Sequence, residues 1–175
     1  MIDRRKEREF ETIILPHLDA AYNLARWIAR NDRDAEDIVQ EACLRALQSF
    51  EDLQGKDGRP WFMTIVRNVS YTLLSSHKLR ESNSVEFEDD AHSSGSIFAD
   101  PATLIEREFD KQMLKTALEK LPDELREVIV LRELESFSYK EIAHIMNVPI
   151  GTVMSRLARG RASLQRQLSA NGIGD

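Results

Sequence analysis

Between Thr152 and Arg159 the chain sets two hydroxyls, Thr152 and Ser155, and two guanidiniums, Arg156 and Arg159, within eight residues. Such groups hydrogen-bond to base edges and phosphates, and an arginine that donates twice to guanine supplies about 1–3 kcal/mol of discrimination. At about 100° per residue, Val153, Leu157, Gly160 and Leu164 share one side of a helix. Ser155, Arg159 and Arg166 point away from that side, Thr152 and Met154 lie at its margins, and Arg156 is on a flank. Upstream, Ser138-Tyr139-Lys140-Glu141 spells a capping box that opens a short helix bearing Ile142, Ala143, Ile145 and Met146. Asn147 tolerates the left-handed conformation of a tight turn, and Val148-Pro149-Ile150-Gly151-Thr152 starts the next helix. Cap, small Ala143, turn and basic outer face together predict a DNA-reading helix-turn-helix rather than a plain hairpin with a solvated face.

Two further groups of residues could hold partners. On a helix predicted from Asp34 to Phe50, the apolar face is Ala35, Ile38, Val39, Ala42, Cys43, Ala46, Leu47 and Phe50. Its opposite face carries Asp34, Asp37, Gln40, Glu41, Leu44 and Gln48, an acidic rim around a leucine that suits docking to a partner. After Pro60, a helix predicted to run to His77 mixes Trp61, Phe62, Arg67, Asn68 and Tyr71, with Lys78 just beyond. Aromatics interleaved with cationic and amide groups stack on unpaired bases, although Trp61 and Phe62 equally suit a core. Covalent chemistry has no foothold. His17, His77, His92 and His144 are scattered, none shares a ligand spacing with the lone Cys43, and no glycine-rich phosphate loop occurs. Cys43 lies on an apolar helix face and reads as inert core. The expectation is a protein that is not an enzyme and uses no metal or other cofactor.

These residues must be positioned by helices. The chain has 175 residues, 42% hydrophobic and 31% charged, with a net charge of −6. Glycine and proline are scarce, and residues 10–79 read as three or four helices. From Arg80 to about Pro101 the helical pattern lapses into serines and carboxylates, and it resumes from Leu104 to about Leu168. Residues 80–110 carry a net charge of −7 and residues 136–175 a net of +3, so a basic surface exists on an acidic protein. The predicted fold is all-α: two small helical domains joined by a flexible acidic linker, the second with the helix-turn-helix. No apolar run reaches the ~18–20 residues of a membrane span. The start, Met1-Ile2-Asp3-Arg4-Arg5-Lys6-Glu7, is too charged for a secretory signal. The expectation is a cytoplasmic protein without membrane insertion.

Taken together the motifs resemble a family. Asp34-Ala35-Glu36-Asp37-Ile38-Val39-Gln40-Glu41-Ala42 resembles the polymerase-docking helix of the extracytoplasmic-function (group IV) sigma factors of the sigma-70 family. Residues 59–68, Arg59 to Asn68, resemble the promoter-melting stretch that follows it. Leu121-Pro122 with Arg126 to Glu133 resembles the start of that family's second domain. Ser138 to Ala143, Gly151 to Leu157 and Arg159-Gly160-Arg161 resemble its helix-turn-helix. The pieces stand in the family's order and spacing.

The resemblance implies a dissociable initiation subunit with sigma region 2 in residues 1–79, a linker in 80–102 and sigma region 4 in 103–175. It implies that Asp34, Asp37, Gln40, Glu41 and Leu44 meet core RNA polymerase at the clamp helices of its largest subunit. Phe50, Trp61, Arg67, Asn68 and Tyr71 would engage the melted proximal promoter element, Phe50 and Asn68 lining a pocket for a flipped base. Thr152, Met154, Ser155, Arg156 and Arg159 would read the distal element. Met154 departs from the basic residue many members carry, and Ala158 is small on the outward face. The linker would thread toward the RNA exit path, its acidity imitating nucleic acid. An anti-sigma factor is a further implied partner. The main alternative is a non-transcribing sigma mimic that sequesters an anti-sigma factor; a stand-alone helix-turn-helix repressor would leave the docking helix unexplained.

Overall fold

The computed structural model describes residues 3–55, 57–81 and 101–170, without the side chains of residues 81 and 101–109. All regular structure among the described residues is helical, in two bundles. Residues 82–100, the greater part of the expected linker, lie outside the described residues. Its expected ends are helical: Arg80 belongs to the last helix of the first bundle, and the second bundle's first helix starts at Pro101.

The first bundle contains α1 (Arg4–Ile14), α2 (Leu18–Ala29), α3 (Asp32–Gln48) and α4 (Gly58–Glu81). Pro16 lies in the 3₁₀ turn Leu15–His17 that separates α1 from α2, because a proline offers no N–H to continue the α-helical ladder. Asn31 caps α3, its side-chain oxygen accepting from the Asp34 amide at 2.8 Å, so the helix begins two residues earlier than its apolar periodicity suggests. It ends at Gln48, and Phe50 opens a 3₁₀ turn to Leu53 while still pointing into the core. Helix α4 starts at Gly58, where the Asp57 carboxylate accepts from the Arg59 amide at 3.1 Å, and runs past His77 with no glycine or proline to stop it. Ile14, Leu24, Ile38, Phe62, Met63 and Val66 are fully buried between these helices. Each contributes about 1.5–3 kcal/mol of hydrophobic stabilisation before chain entropy is counted.

The second bundle contains α5 (Pro101–Glu119), α6 (Asp123–Ile129), α7 (Tyr139–Met146) and α8 (Ile150–Ala170). The end of α6 widens into a π-helical turn, Val130–Leu134, after which Ser136 takes a left-handed conformation (φ 58°). The capping box is formed: the Ser138 hydroxyl accepts from the Glu141 amide at 3.1 Å, and the Glu141 carboxylate accepts from the Ser138 amide at 2.9 Å. Asn147 closes α7 at φ 54°, ψ 51°, the left-handed turn its side chain favours. Val153, Leu157 and Gly160 are buried, as the spacing predicts. At Gly160 the approach is close: a Cβ there would lie 3.0 Å from Ile129 Cγ1 and 3.5 Å from the Leu125 carbonyl oxygen.

The bundles pack against one another, α4 on α7 and α2 on α6. Gly160→Leu should force α8 off α6 and destabilise the protein by about 1–3 kcal/mol. Urea unfolding measures that change as a lower midpoint.

Candidate nucleic-acid interface

The outward face of α8 is built from side chains that the bundle does not use. Met154 is 53% exposed, and Ser155, Ala158 and Arg159 are exposed beside it. Thr152 is half-buried at the margin, and the Ser155 hydroxyl donates to its carbonyl at 3.0 Å. Arg159 makes no hydrogen bond or ion pair among the described residues. Arg156 differs: its side chain is only 15% exposed and lies 3.6 Å from the Glu124 carboxylate of α6. Arg161 is held by Glu133 at 2.6 Å. Of the four arginines between residues 156 and 166, Arg159 and Arg166 are therefore displayed, while Arg156 and Arg161 are paired with carboxylates of their own bundle.

The acidic face of α3 is likewise displayed. Asp37, Gln40, Glu41 and Leu44 are exposed, Leu44 to 58%, and Glu41 accepts from Arg45 one turn on at 2.8 Å. Asp34 is set apart from them. Its carboxylate accepts from Asn31 Nδ2 at 2.8 Å and lies 3.5 Å from His77 Nδ1, tying the start of α3 to the far part of α4. Cys43, on the inner side of the same helix, is half-buried, and burial pushes its thiol pKa up.

The third group is divided. Asn68 is exposed on α4, and Trp61 is half-buried against the core. Phe50 is buried, its ring edge-on to Phe10 at 5.6 Å, and it lines an open groove of about 630 Å³ with Ile13, Leu53 and Gln54. Arg67 and Tyr71 are brought together, yet both face the second bundle. Arg67 Nε donates to Glu127 Oε1, and Tyr71 Oη donates to Glu127 Oε2 at 2.8 Å. The Arg67 guanidinium also lies 4.7 Å from the Tyr71 ring centre. Burial, reinforced by the Glu127 carboxylate, raises the Tyr71 phenol well above its ordinary pKa.

Sequence reasoning missed this seam. Besides Glu127 it includes Arg59, whose guanidinium sits 3.8 Å over the Phe137 ring and donates to the Glu135 carbonyl. Asn23 donates to the Glu135 carboxylate at 2.6 Å, and Arg30 lies 3.6 Å from Asp123. A signal was present. Arg126-Glu127 stands directly before the apolar run Val128-Ile129-Val130-Leu131, and both charged residues are 3% exposed.

Comparison with known proteins fits this architecture. Residues 13–80 match the model of sigma-70 region 2, and residues 111–164 match that of sigma-70 region 4. The chain is 32% identical over 152 residues to the ECF RNA polymerase sigma-E factor of Haemophilus influenzae, spanning 83% of this chain and 79% of that one. The chain belongs to the ECF group of the sigma-70 family. It is a sigma factor, a DNA-binding subunit that directs core RNA polymerase to promoters and begins their opening. The sigma-E factor of Escherichia coli K12 is 33% identical over 142 residues, 77% of this chain and 74% of the relative. Among solved structures, a sigma factor RpoE in complex with the anti-sigma factor NepR from Bartonella quintana superposes with a TM-score of 0.76. It shares 28% identity and covers 93% of this chain and 98% of that one. CnrH in complex with the cytosolic domain of CnrY shares the fold at a TM-score of 0.67, 24% identity, and coverage of 95% and 91%.

The different settings of the two arginines on α8 of this sigma factor have a measurable consequence. Arg156→Ala should lower stability by about 1 kcal/mol, whereas Arg159→Ala should leave it within about 0.5 kcal/mol. Urea unfolding of the two variants checks the contrast.

Proposed function

We propose that this sigma factor grips core polymerase with the acidic face of α3, reads the distal promoter element with α8, and holds the opened proximal element with α4. Residues 1–79 act as the polymerase-binding and melting module and residues 103–175 as the distal reader, with residues 80–102 as the tether. One observation carries this reading most directly: the outward face of α8 displays Met154, Ser155 and Arg159, none of which packs its own bundle. The Arg159 guanidinium, unpaired among the described residues, and a surface hydroxyl beside an exposed apolar side chain suit a base-pair edge, which offers acceptors and, at thymine, a methyl group. On α3, Asp37, Gln40 and Glu41 around Leu44 suit a protein partner with basic and apolar groups.

Neither module needs to bind tightly alone. Once polymerase holds the first, the second meets its DNA at an effective concentration set by the tether. Extruding a base from the duplex costs a few kcal/mol, which a pocket on the first module offsets. The chain supplies binding and no covalent step, RNA synthesis belonging to the polymerase. No described helix is long and apolar enough to cross a membrane, and the proposed site of action is the cytoplasm, with the polymerase. An anti-sigma factor is the proposed inhibitory partner, in keeping with the NepR and CnrY complexes of the structural relatives. Nothing favours the non-transcribing mimic.

Run-off transcription with purified core polymerase tests the reading as a whole. Asp37→Arg should abolish association with core while leaving the fold intact; unchanged association would remove α3 from the interface. Arg159→Ala should weaken discrimination at the distal element by about 1–3 kcal/mol, measured as the difference in affinity between matched and scrambled duplexes. An equal loss on both duplexes would make Arg159 a phosphate contact.

A further inference from the structure

The seam between the bundles places a carboxylate where the proposed function puts DNA. Arg67 and Tyr71 are two of the α4 residues proposed to engage the opened strand, and both donate to Glu127 of α6, one to each oxygen. The Glu127 side chain is 2% exposed and that of Arg67 22%. A guanidinium and a phenol converging on one oxyanion, with an aromatic ring beside them, also form a grip suited to a phosphodiester and its neighbouring base. The guanidinium takes a non-bridging oxygen, and the ring offers a face for stacking. Carboxylate and phosphodiester each carry one negative charge over two accepting oxygens, so the same donors serve either. Glu127 is not neutralised from its own side: the adjacent Arg126 turns away to the Leu121 carbonyl at 3.1 Å, the Glu119 carbonyl at 3.4 Å and the Asp123 carboxylate.

We propose that Arg67 and Tyr71 form a binding site for a backbone phosphate of single-stranded promoter DNA, and that Glu127 occupies this site as an internal competitor when the two bundles are closed. The inference rests on α4 being the strand-holding surface and adds what blocks it. Arg59, drawn over Phe137 and onto the Glu135 carbonyl, and Asn23, bonded to Glu135, reinforce the same closure. The second bundle must then leave α4 before the strand can bind, so the free factor ignores single strands that the opened factor accepts. Apparent affinity is the intrinsic affinity multiplied by the fraction of molecules open.

The test uses the full chain and fluorescein-labelled dT12, read by anisotropy, with solution scattering to follow the radius of gyration. Glu127→Gln keeps the shape and removes the charge. It should bind dT12 roughly tenfold more tightly than the parent, as expected if about a tenth of the parent is open, and should be more extended. Adding Arg67→Ala to Glu127→Gln should cancel the gain and reduce the salt dependence of binding by about one ion. A second arm does not depend on the folding of that variant. Asn23→Cys and Glu135→Cys, in a Cys43→Ala background, are joined by a reducible bis-thiosulfonate linker. The joined protein should lose dT12 binding and recover it on reduction. A folded Glu127→Gln protein with parental affinity, or a joined protein that binds as well as the reduced one, overturns the competition. Neither readout involves polymerase, so an unchanged dT12 affinity overturns it even where run-off transcription succeeds.

Discussion

The closed form of this sigma factor centres on one buried carboxylate. Glu127 sits between the bundles, and a charge removed from water costs several kcal/mol unless donors meet it. The donors come from the other bundle, Arg67 to one oxygen and Tyr71 to the other. Closure is therefore tied to a particular register of α4 against α6. A sliding of the two surfaces would leave Glu127 buried without partners, which hydrophobic contact alone would not penalise. The neighbouring Arg126 solves a similar problem locally, donating to carbonyls near the end of α5 that have no helical N–H to accept.

Each bundle is specified by more local means. In the second, the capping box at Ser138, the left-handed Asn147 and the bare Cα of Gly160 set where α7 starts, how it turns and how near α8 lies to α6. Those three constraints orient the outward face of α8, and Arg156 and Arg161, held by Glu124 and Glu133, brace it. In the first bundle the inner face of α3 is committed to the core through Ala35, Ile38, Ala42 and Ala46, leaving the acidic face to point outward. Asp34 is exempted from that face by its bonds to Asn31 and His77.

The two parts of the proposed promoter grip consequently differ in availability. The distal-reading face is open to solvent in the closed form, whereas two members of the proximal group are occupied by the other half of the same chain. Asn68 remains exposed between them in sequence because it falls on another side of α4 from Arg67 and Tyr71. On the proposed reading, closure masks part of the strand-holding group without distorting it, since only the side-chain partners of Arg67 and Tyr71 need to change.

Much of this was legible in the chain itself. The helical class, the two-part organisation, the capping box, the Asn147 turn and the inward face of α8 all follow from contacts within a few residues, which leave periodic or positional marks in sequence. The acidic ridge of α3 was legible for the same reason, apart from Asp34, whose partner His77 is distant in the chain. What only the tertiary structure decided is which charged groups spend themselves on one another. Arg67 and Glu127 are 60 residues apart, and Arg156 finds Glu124 on another helix. Side-chain pairing across separate helices carries no period. It depends on how whole helices are rotated and stacked, and the packing of every core residue sets that rotation jointly.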